Sequence, residues 1–303
     1  MINLISNAYN IDVLEIGSAP SGWSAEGYRV ITAERDYYLK VFDKHRHTAQ
    51  QWIKRIDNYI PIVLWMYDNT PFRDELIPPV FTIDGCYKFE TDDNIFILYP
   101  YITGTTPADK PLTADQQHDL AEIVAKLHLC GQAIPAAMFD DVEKFDIPFY
   151  DNLTDLIKLE TVLSPYTSLL TDRLEKLKSS ANQLADSDLN YVVCHTDIHG
   201  WNLIQSEKLY LMDWEGLKLA PAEADLFAFT DGFFFDYMYD TLMNIYQSMR
   251  PDYIINQTVM EFYRLRRRLE DITEFANGIL YDNISDEEIA KSINHIIKEC
   301  SFL

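Results

Sequence analysis

Basic residues and glycine are both scarce in this chain of 303 residues: 25 Lys and Arg face 48 Asp and Glu, and there are 10 glycines. The formal net charge is −23. A surface of that sign repels phosphate backbones and anionic lipid heads, which argues against nucleic-acid and membrane partners and suits a cationic small molecule. On its own the charge would do no more than keep the protein soluble. Long hydrophobic runs are missing as well. Ile60 to Tyr67 is the longest, well short of the ~20 residues that span a bilayer. The Phe-rich stretch from Leu226 to Tyr239 is interrupted by Asp231 and Asp236. The four cysteines (86, 130, 194 and 300) form no C-x-x-C pair, and no histidine cluster completes a zinc site. Reduced, mostly buried thiols in a cytoplasmic protein are the expectation. Residues 1–7 carry neither a basic segment nor a sustained apolar one, so no secretory signal is expected.

Apolar residues make up 48% of the chain and aromatics 13%. That supplies a large core, and the length favours about two domains. The first hundred residues read as strands and turns. Tyr28–Ile31 and Tyr37–Phe42 alternate as an antiparallel pair, after a short strand at Val13–Gly17. Val80–Ile83 and Cys86–Phe89 are set to pair through Asp84-Gly85, a hairpin turn signal. A helical pattern over 47–67 is interrupted by Pro61, and Asn94–Tyr101 reads as a further strand. Beyond residue 101 helical periodicity dominates. Thr113 with Gln116 forms a capping box, Leu120, Ile123, Val124 and Leu127 share one face, and Gly131 closes that helix. Helix is also expected over 152–185, split near Pro165, and from 222 to the end, with Ser285 capping the last one. The predicted organisation is a strand-rich N-terminal lobe over 1–100 and a helical C-terminal lobe over 101–303.

The chemistry concentrates between two short strands. Cys194-His195-Thr196-Asp197-Ile198-His199-Gly200-Trp201-Asn202 has the form H-x-D-x-x-x-x-N, and Leu211-Met212-Asp213-Trp214-Glu215 follows. Phosphoryl transfer needs little covalent help from a protein, which mainly positions groups and balances charge. In that scheme Asp197 orients an acceptor hydroxyl and takes its proton, while Asn202 and Asp213 offer hard oxygen ligands to Mg²⁺. The plain alternative is a polar loop in which Asp and Asn serve as turn residues. A second alternative is a transition metal on His195 and His199, but such pairs belong on helices and these flanks are strand-like. His195 and His199 are better read as bracing the loop.

Lys40 lies in an apolar strand, where an ammonium is costly without an anionic partner. It is the candidate for the α- and β-phosphates; the alternative is a lysine on the open face of an edge strand. The loop from Ser18 to Gly27 departs from G-x-G-x-x-G, yet Gly22 allows close backbone approach, and Ser21 and Ser24 could donate to phosphate. Glu215, Trp201, Asp225 and Glu270 are candidates for an acceptor or second-metal site. For Asp225, bonding to backbone N–H groups of the loop is the other reading. The run Arg264, Arg266, Arg267, Arg268 beside Glu270 and Asp271 reads as a solvated helix face.

These segments resemble the aminoglycoside phosphotransferase and choline kinase family, most of all its spectinomycin phosphotransferase branch. The resemblance rests on Tyr191–Asn202, Leu209–Glu215, Leu219–Leu226, the strand Phe96–Ile102 and the helix Glu261–Ile272. It implies an α+β, protein-kinase-like bilobal fold, with a small β-rich N-lobe and a larger, mainly helical C-lobe. It implies ATP, with GTP also possible, and Mg²⁺. It carries the catalytic role to Asp197, metal binding to Asn202 and Asp213, phosphate contact to Lys40, and adenine binding to the backbone near Tyr99 and Tyr101. Two departures stand out. No Glu occurs between 35 and 74 to pair with Lys40, which leaves Asp57 as the nearest acidic candidate, and Glu215 stands where relatives often have Asp. A protein kinase is disfavoured, since Ala220-Pro221 follows Asp213 too soon for a peptide platform. A silent nucleotide-binding module is disfavoured by the complete Asp197, Asn202, Asp213 set. The acceptor expected is a small hydroxyl compound: an aminocyclitol or aminoglycoside, or else choline, ethanolamine, homoserine or a sugar-like metabolite. The motifs leave the oligomeric state open.

Overall fold

The computed structural model describes every residue except Ser21, Trp23, Ser24 and Glu160. Helix α1 (Ile2–Tyr9) precedes strands β1 (Val13–Ser18), β2 (Glu26–Thr32) and β3 (Tyr37–Asp43). Helices α2 (Gln50–Ile53) and α3 (Ile56–Asn69) follow, then β4 (Phe89–Glu90) and β5 (Asn94–Pro100). These five strands form one antiparallel sheet in the order β1-β2-β3-β5-β4. Period-two alternation sorts β3 cleanly. Leu39 and Val41 pack with Val30, Phe96 and Leu98 beneath α1, whereas Phe42 joins Ile95, Ile97 and α3 on the other face. Lys40 shares that second face. With β2 and β5 on either side, β3 is no edge strand.

Two local expectations change. Pro61 sits inside α3, and the helical break falls instead at Lys54-Arg55. A proline costs the N–H bond to the residue four earlier, and the apolar face formed by Tyr59, Ile60, Val63 and Met66 is buried enough to hold the helix through it. The Asp84-Gly85 turn forms, with Thr82 N donating to Cys86 O and Gly85 at φ +74°. Its arms do not become a hairpin. Val80 N turns to Leu98 O, and Phe89 pairs with Phe96, so β5 captures both arms.

The helical part holds α4 (Ala114–Cys130), α5 (Tyr150–Lys158), α6 (Thr167–Ala185), then β6 (Tyr191–Cys194), β7 (Leu203–Gln205), β8 (Leu209–Leu211) and β9 (Lys218–Pro221). Helices α7 (Glu223–Leu226), α8 (Tyr239–Met249), α9 (Gln257–Tyr281) and α10 (Asp286–Ser301) complete it. Both expected capping boxes are present, Thr113 with Gln116 and Ser285 with Glu288. Gly131 ends α4 in a right-handed conformation, not the left-handed one that usually selects glycine. The reason for glycine is contact: a Cβ there would lie 2.9 Å from Val193 N. This pins α4 against β6, the strand that leads into the catalytic motif. The architecture is α+β and bilobal, a β-sheet lobe followed by a larger helical one. Among the described residues, no helix is long and apolar enough to cross a membrane. All four cysteines are free, with Cys86 exposed and Cys194 and Cys300 buried.

Candidate active site

Two antiparallel strand pairs hold the site. In one, β6 lies against β9; in the other, Leu203 of β7 lies opposite Leu211 of β8. The second register places Asn202 across from Met212, whose N donates to Asn202 O at 2.8 Å. Asp213 follows at once, at φ 68° and ψ 61°. Sequence separation is thus cancelled by strand pairing, and the two candidate metal residues sit at the end of one hairpin.

The loop between β6 and β7 is fixed from below. Asp225, 1% exposed, accepts from His195 N at 2.9 Å, Thr196 N at 2.6 Å and His128 Nε2 at 2.9 Å. Those bonds hold Thr196 at φ 67°, a costly conformation for a β-branched residue. Asp225 is therefore the buried foundation of the loop, and that geometry removes it from the acceptor or second-metal group. The His128 Nδ1 nitrogen meets Tyr246 Oη at 2.7 Å and extends the network. His195 braces the loop as expected, with Nε2 against Met212 O at 2.9 Å and Nδ1 accepting from Asp197 N at 3.2 Å. Burial pushes its imidazole below the ordinary histidine range, which suits a neutral ring accepting at Nδ1. Gly200 and Gly216 allow close approach. A Cβ at Gly200 would collide with Ala108 O, and one at Gly216 would lie 2.6 Å from His195 O.

Three residues organise the Asp197 carboxylate. Asn202 Nδ2 donates to Asp197 Oδ2 at 3.0 Å and to its carbonyl at 2.9 Å. That assigns the amide nitrogen to Asp197 and turns Asn202 Oδ1 the other way. His199 Nε2 lies 3.3 Å from Oδ2, and Arg267 Nη1 lies 2.6 Å from Oδ1. Burial alone would raise this carboxyl; His199 and Arg267 overcome it and hold Asp197 well below the ordinary range. His199 is thus a partner of Asp197 more than a brace of the loop.

Lys40 is 7% exposed, and its Nζ lies 2.5 Å from both Asp213 Oδ1 and Glu215 Oε1. Burial would lower the ammonium, but Asp213 and then Glu215 drive it well above the usual lysine value. Asp57 is not its partner: it binds Tyr87 Oη and Lys88 Nζ, each at 2.8 Å. The buried acid beside Lys40 comes from Glu215 instead. Tyr59 of α3 faces this group, its hydroxyl 3.4 Å from Tyr99 Oη. Gly22 approaches from above, where a Cβ would lie 3.8 Å from Asp213 Oδ2. Ser21 and Ser24 lie outside the described residues.

The β3–β5 register refines the adenine expectation. Tyr101 N donates to Asp36 O at 3.1 Å, and Tyr38 pairs with Tyr99 in the same register. Backbone groups at 99 and 101 therefore point toward β3. Alternation turns the Pro100 carbonyl and the Ile102 N–H the opposite way, as Leu98 O already shows by accepting from Val80 N. Trp201 is largely exposed, with Nε1 3.2 Å from Asp109 Oδ1.

The arginine run is not a solvated face. Consecutive helical residues point about 100° apart; Arg264 donates to Asp231 O at 3.0 Å, and each of the other three finds a different acid. Arg266 reaches buried Glu143 at 3.0 Å, Arg267 reaches Asp197, and Arg268 reaches Glu299 at 2.6 Å. Glu270, Asp271 and Glu274 share α9 with Arg267. Burial, then Glu270 and Asp271, push the Glu274 carboxyl up to about 8, and burial pushes Asp271 up to about 6. Glu143, His128 and Gly216 carried no signal in the sequence, and Arg267 read there only as one of a solvated basic run. The i, i+4 spacing of Arg267 and Asp271 is legible along α9, but the approach of Arg267 to Asp197 exists only in space.

A lysine, two carboxylates and an amide on one side, and an oriented aspartate on the other, define a phosphotransferase of the bilobal kinase class. The family model described as the phosphotransferase enzyme family matches residues 15–246. The chain belongs to that family. Its fold is similar to spectinomycin phosphotransferase in complex with ADP and spectinomycin, with TM-score 0.74, 18% identity, and 99% of this chain and 96% of that one covered. It is also similar to a choline kinase from Streptococcus pneumoniae, with TM-score 0.70, 18% identity, and 99% and 97% covered. A microcompartment-associated aminopropanol kinase gives TM-score 0.69, 16% identity, and 99% and 94% covered. No curated protein sequence matches the chain.

Proposed function

We propose that this small-molecule kinase transfers the γ-phosphoryl group of ATP to a hydroxyl of a cationic small molecule, with Mg²⁺ as cofactor. The observation that carries this reading is the Lys40–Asp213 ion pair at 2.5 Å, which links the sheet lobe to the end of the catalytic hairpin. Lys40 holds the α- and β-phosphates, and the Pro100 carbonyl with the Ile102 N–H receives the purine, which suits ATP and leaves room for GTP. The Gly22 backbone covers the phosphates, and the hydroxyls of Ser21 and Ser24 are assigned as further donors to them. Asn202 Oδ1 and the Asp213 carboxylate fit Mg²⁺, a hard cation that takes oxygen ligands; Glu215 stands ready as a further oxygen donor. Bound Mg²⁺ would offset charge on the phosphate oxygens. Asp197 orients the acceptor hydroxyl and receives its proton as the new O–P bond forms. On this reading residues 1–100 bind nucleotide and 101–303 supply catalysis and acceptor binding.

The acceptor class follows from charge. Glu270 and Asp271 lie on α9 beside Arg267, and the whole chain carries a formal −23. An aminocyclitol or aminoglycoside would place amines there, and an antibiotic-resistance role in the cytoplasm would follow. An amino alcohol such as choline or ethanolamine, homoserine or a sugar-like metabolite is the second reading, since Glu274 also binds Gln51 Nε2 at 2.7 Å and leaves a narrower acidic surface. A coupled ADP-release screen over these compounds tests both. Stimulation by an aminocyclitol or aminoglycoside alone selects the first, stimulation by small metabolites selects the second, and no Mg²⁺-dependent stimulation by any of them defeats the proposal.

A further inference from the structure

A carboxylate offers about four lone-pair positions. Among the described residues, Asn202 Nδ2 takes one on Asp197 Oδ2, with His199 Nε2 crowding the same oxygen at 3.3 Å, and Arg267 Nη1 takes one on Oδ1 at 2.6 Å. One position on Oδ1 is left. Arg267 is itself held: Nε lies 2.8 Å from Asp271 Oδ1 one helical turn away, and the guanidinium carbon lies 5.9 Å from the Phe234 ring centre. Phe234 also packs against the His199 ring, with centres 5.3 Å apart. The two groups that flank Asp197 therefore lean on one phenyl ring, and α9 anchors the arrangement from the far side.

We propose that Arg267 is a positioning residue for the transfer reaction: fixed by Asp271 and Phe234, it clamps Asp197 Oδ1 so that the acceptor hydroxyl can reach only the remaining Oδ1 position. This inference rests on the kinase reading for its chemistry, but not for its geometry. A planar, anchored guanidinium fixes direction as well as charge, which a flexible lysine ammonium does less well. Arg267 acts through Asp197, without contact to nucleotide.

The test compares the full chain with Arg267→Lys, Arg267→Met and Asp271→Asn. ADP release is measured with MgATP and three acceptor probes: spectinomycin, choline and 1-amino-2-propanol. Hydrogen exchange of residues 195–202 is followed separately in the presence of MgADP. With Arg267→Met, kcat should fall about 10²-fold, the cost expected from roughly 1 Å of misplacement, while KM for MgATP stays within about twofold. Arg267→Lys should recover part of the loss, and Asp271→Asn should show a smaller loss in the same direction. Exchange at 195–202 should rise in Arg267→Met while α4 and α6 stay protected. Unchanged kcat and unchanged exchange would overturn the clamp. So would faster ATP hydrolysis without acceptor and intact transfer, since that result marks a restraint and not a positioning role. If the unsubstituted chain transfers to none of the three probes, the wider acceptor screen decides the kinase reading and the exchange comparison alone decides the clamp; Arg267→Lys and Asp271→Asn serve should Arg267→Met fail to fold.

Discussion

Replacing Asp225 by Ala should damage stability and turnover together, for reasons that can be worked through bond by bond. The side chain is buried and takes three donors: His195 N, Thr196 N and His128 Nε2. Alanine orphans the two backbone donors and leaves His128 Nε2 only the weak contact with Cys194 Sγ at 3.9 Å. Each orphaned buried donor costs roughly 1–3 kcal/mol. Two backbone donors at the middle of that range give about 4 kcal/mol, a large share of the ~5–15 kcal/mol that holds a typical protein folded. The loss also frees Thr196 from φ 67°. The residue after it is Asp197, so relaxation there moves the carboxylate directly. A displacement of about 1 Å would lower kcat about 10²-fold. Urea denaturation reads the first effect, and ADP release at a temperature where the variant is still folded reads the second. Asp225→Asn should be milder, since one acceptor oxygen survives. A variant with wild-type kcat and less than about 1 kcal/mol of lost stability would refute the claim that Asp225 carries the loop.

Lys40→Ala should weaken ATP binding at least about tenfold by calorimetry, because charge-assisted contacts to phosphate contribute about 1.5–3 kcal/mol each; an unaltered Kd would return Lys40 to a structural part. Asp213→Ala should abolish the extra thermal stabilisation that Mg²⁺ gives to bound ADP, seen as equal midpoints with and without the metal. Glu143 gives a pH signature. Burial would raise its carboxyl, but Arg266 and Lys218 hold it down at about 2, below the ordinary 4.5, so it stabilises the fold fully above pH 4.5 and progressively less as pH falls toward 2. The difference corresponds to about 3 kcal/mol, and Glu143→Gln should flatten the stability–pH curve across that window by a comparable amount.

What the sequence disclosed follows from distance along the chain. Asp197, Asn202 and Asp213 fall within 17 residues, and a single hairpin register brings them together, so spacing alone could be read. The β2–β3 pair and both capping boxes were equally local. The partner of Lys40 was not. Sequence reasoning searched the helix after β3, whereas the acid comes from Glu215, on the far side of the cleft. Arg267 was hidden among neighbours that share its identity, and only the 100° step of α9 tells three arginines apart. Pro61 misled for a related reason: its cost is local, and the burial that outweighs it is tertiary.

The central claim is that Asp197 serves an acceptor alcohol beside a Mg²⁺-nucleotide held by Asn202, Asp213 and Lys40. The most direct test is acceptor-stimulated ADP formation by the wild-type chain and by Asp197→Asn, compared at equal nucleotide occupancy. Loss of more than about 10²-fold in kcat with ADP affinity preserved is the expected result, since general base assistance typically contributes ~10²–10⁴-fold. Equal rates from the two proteins would contradict the account.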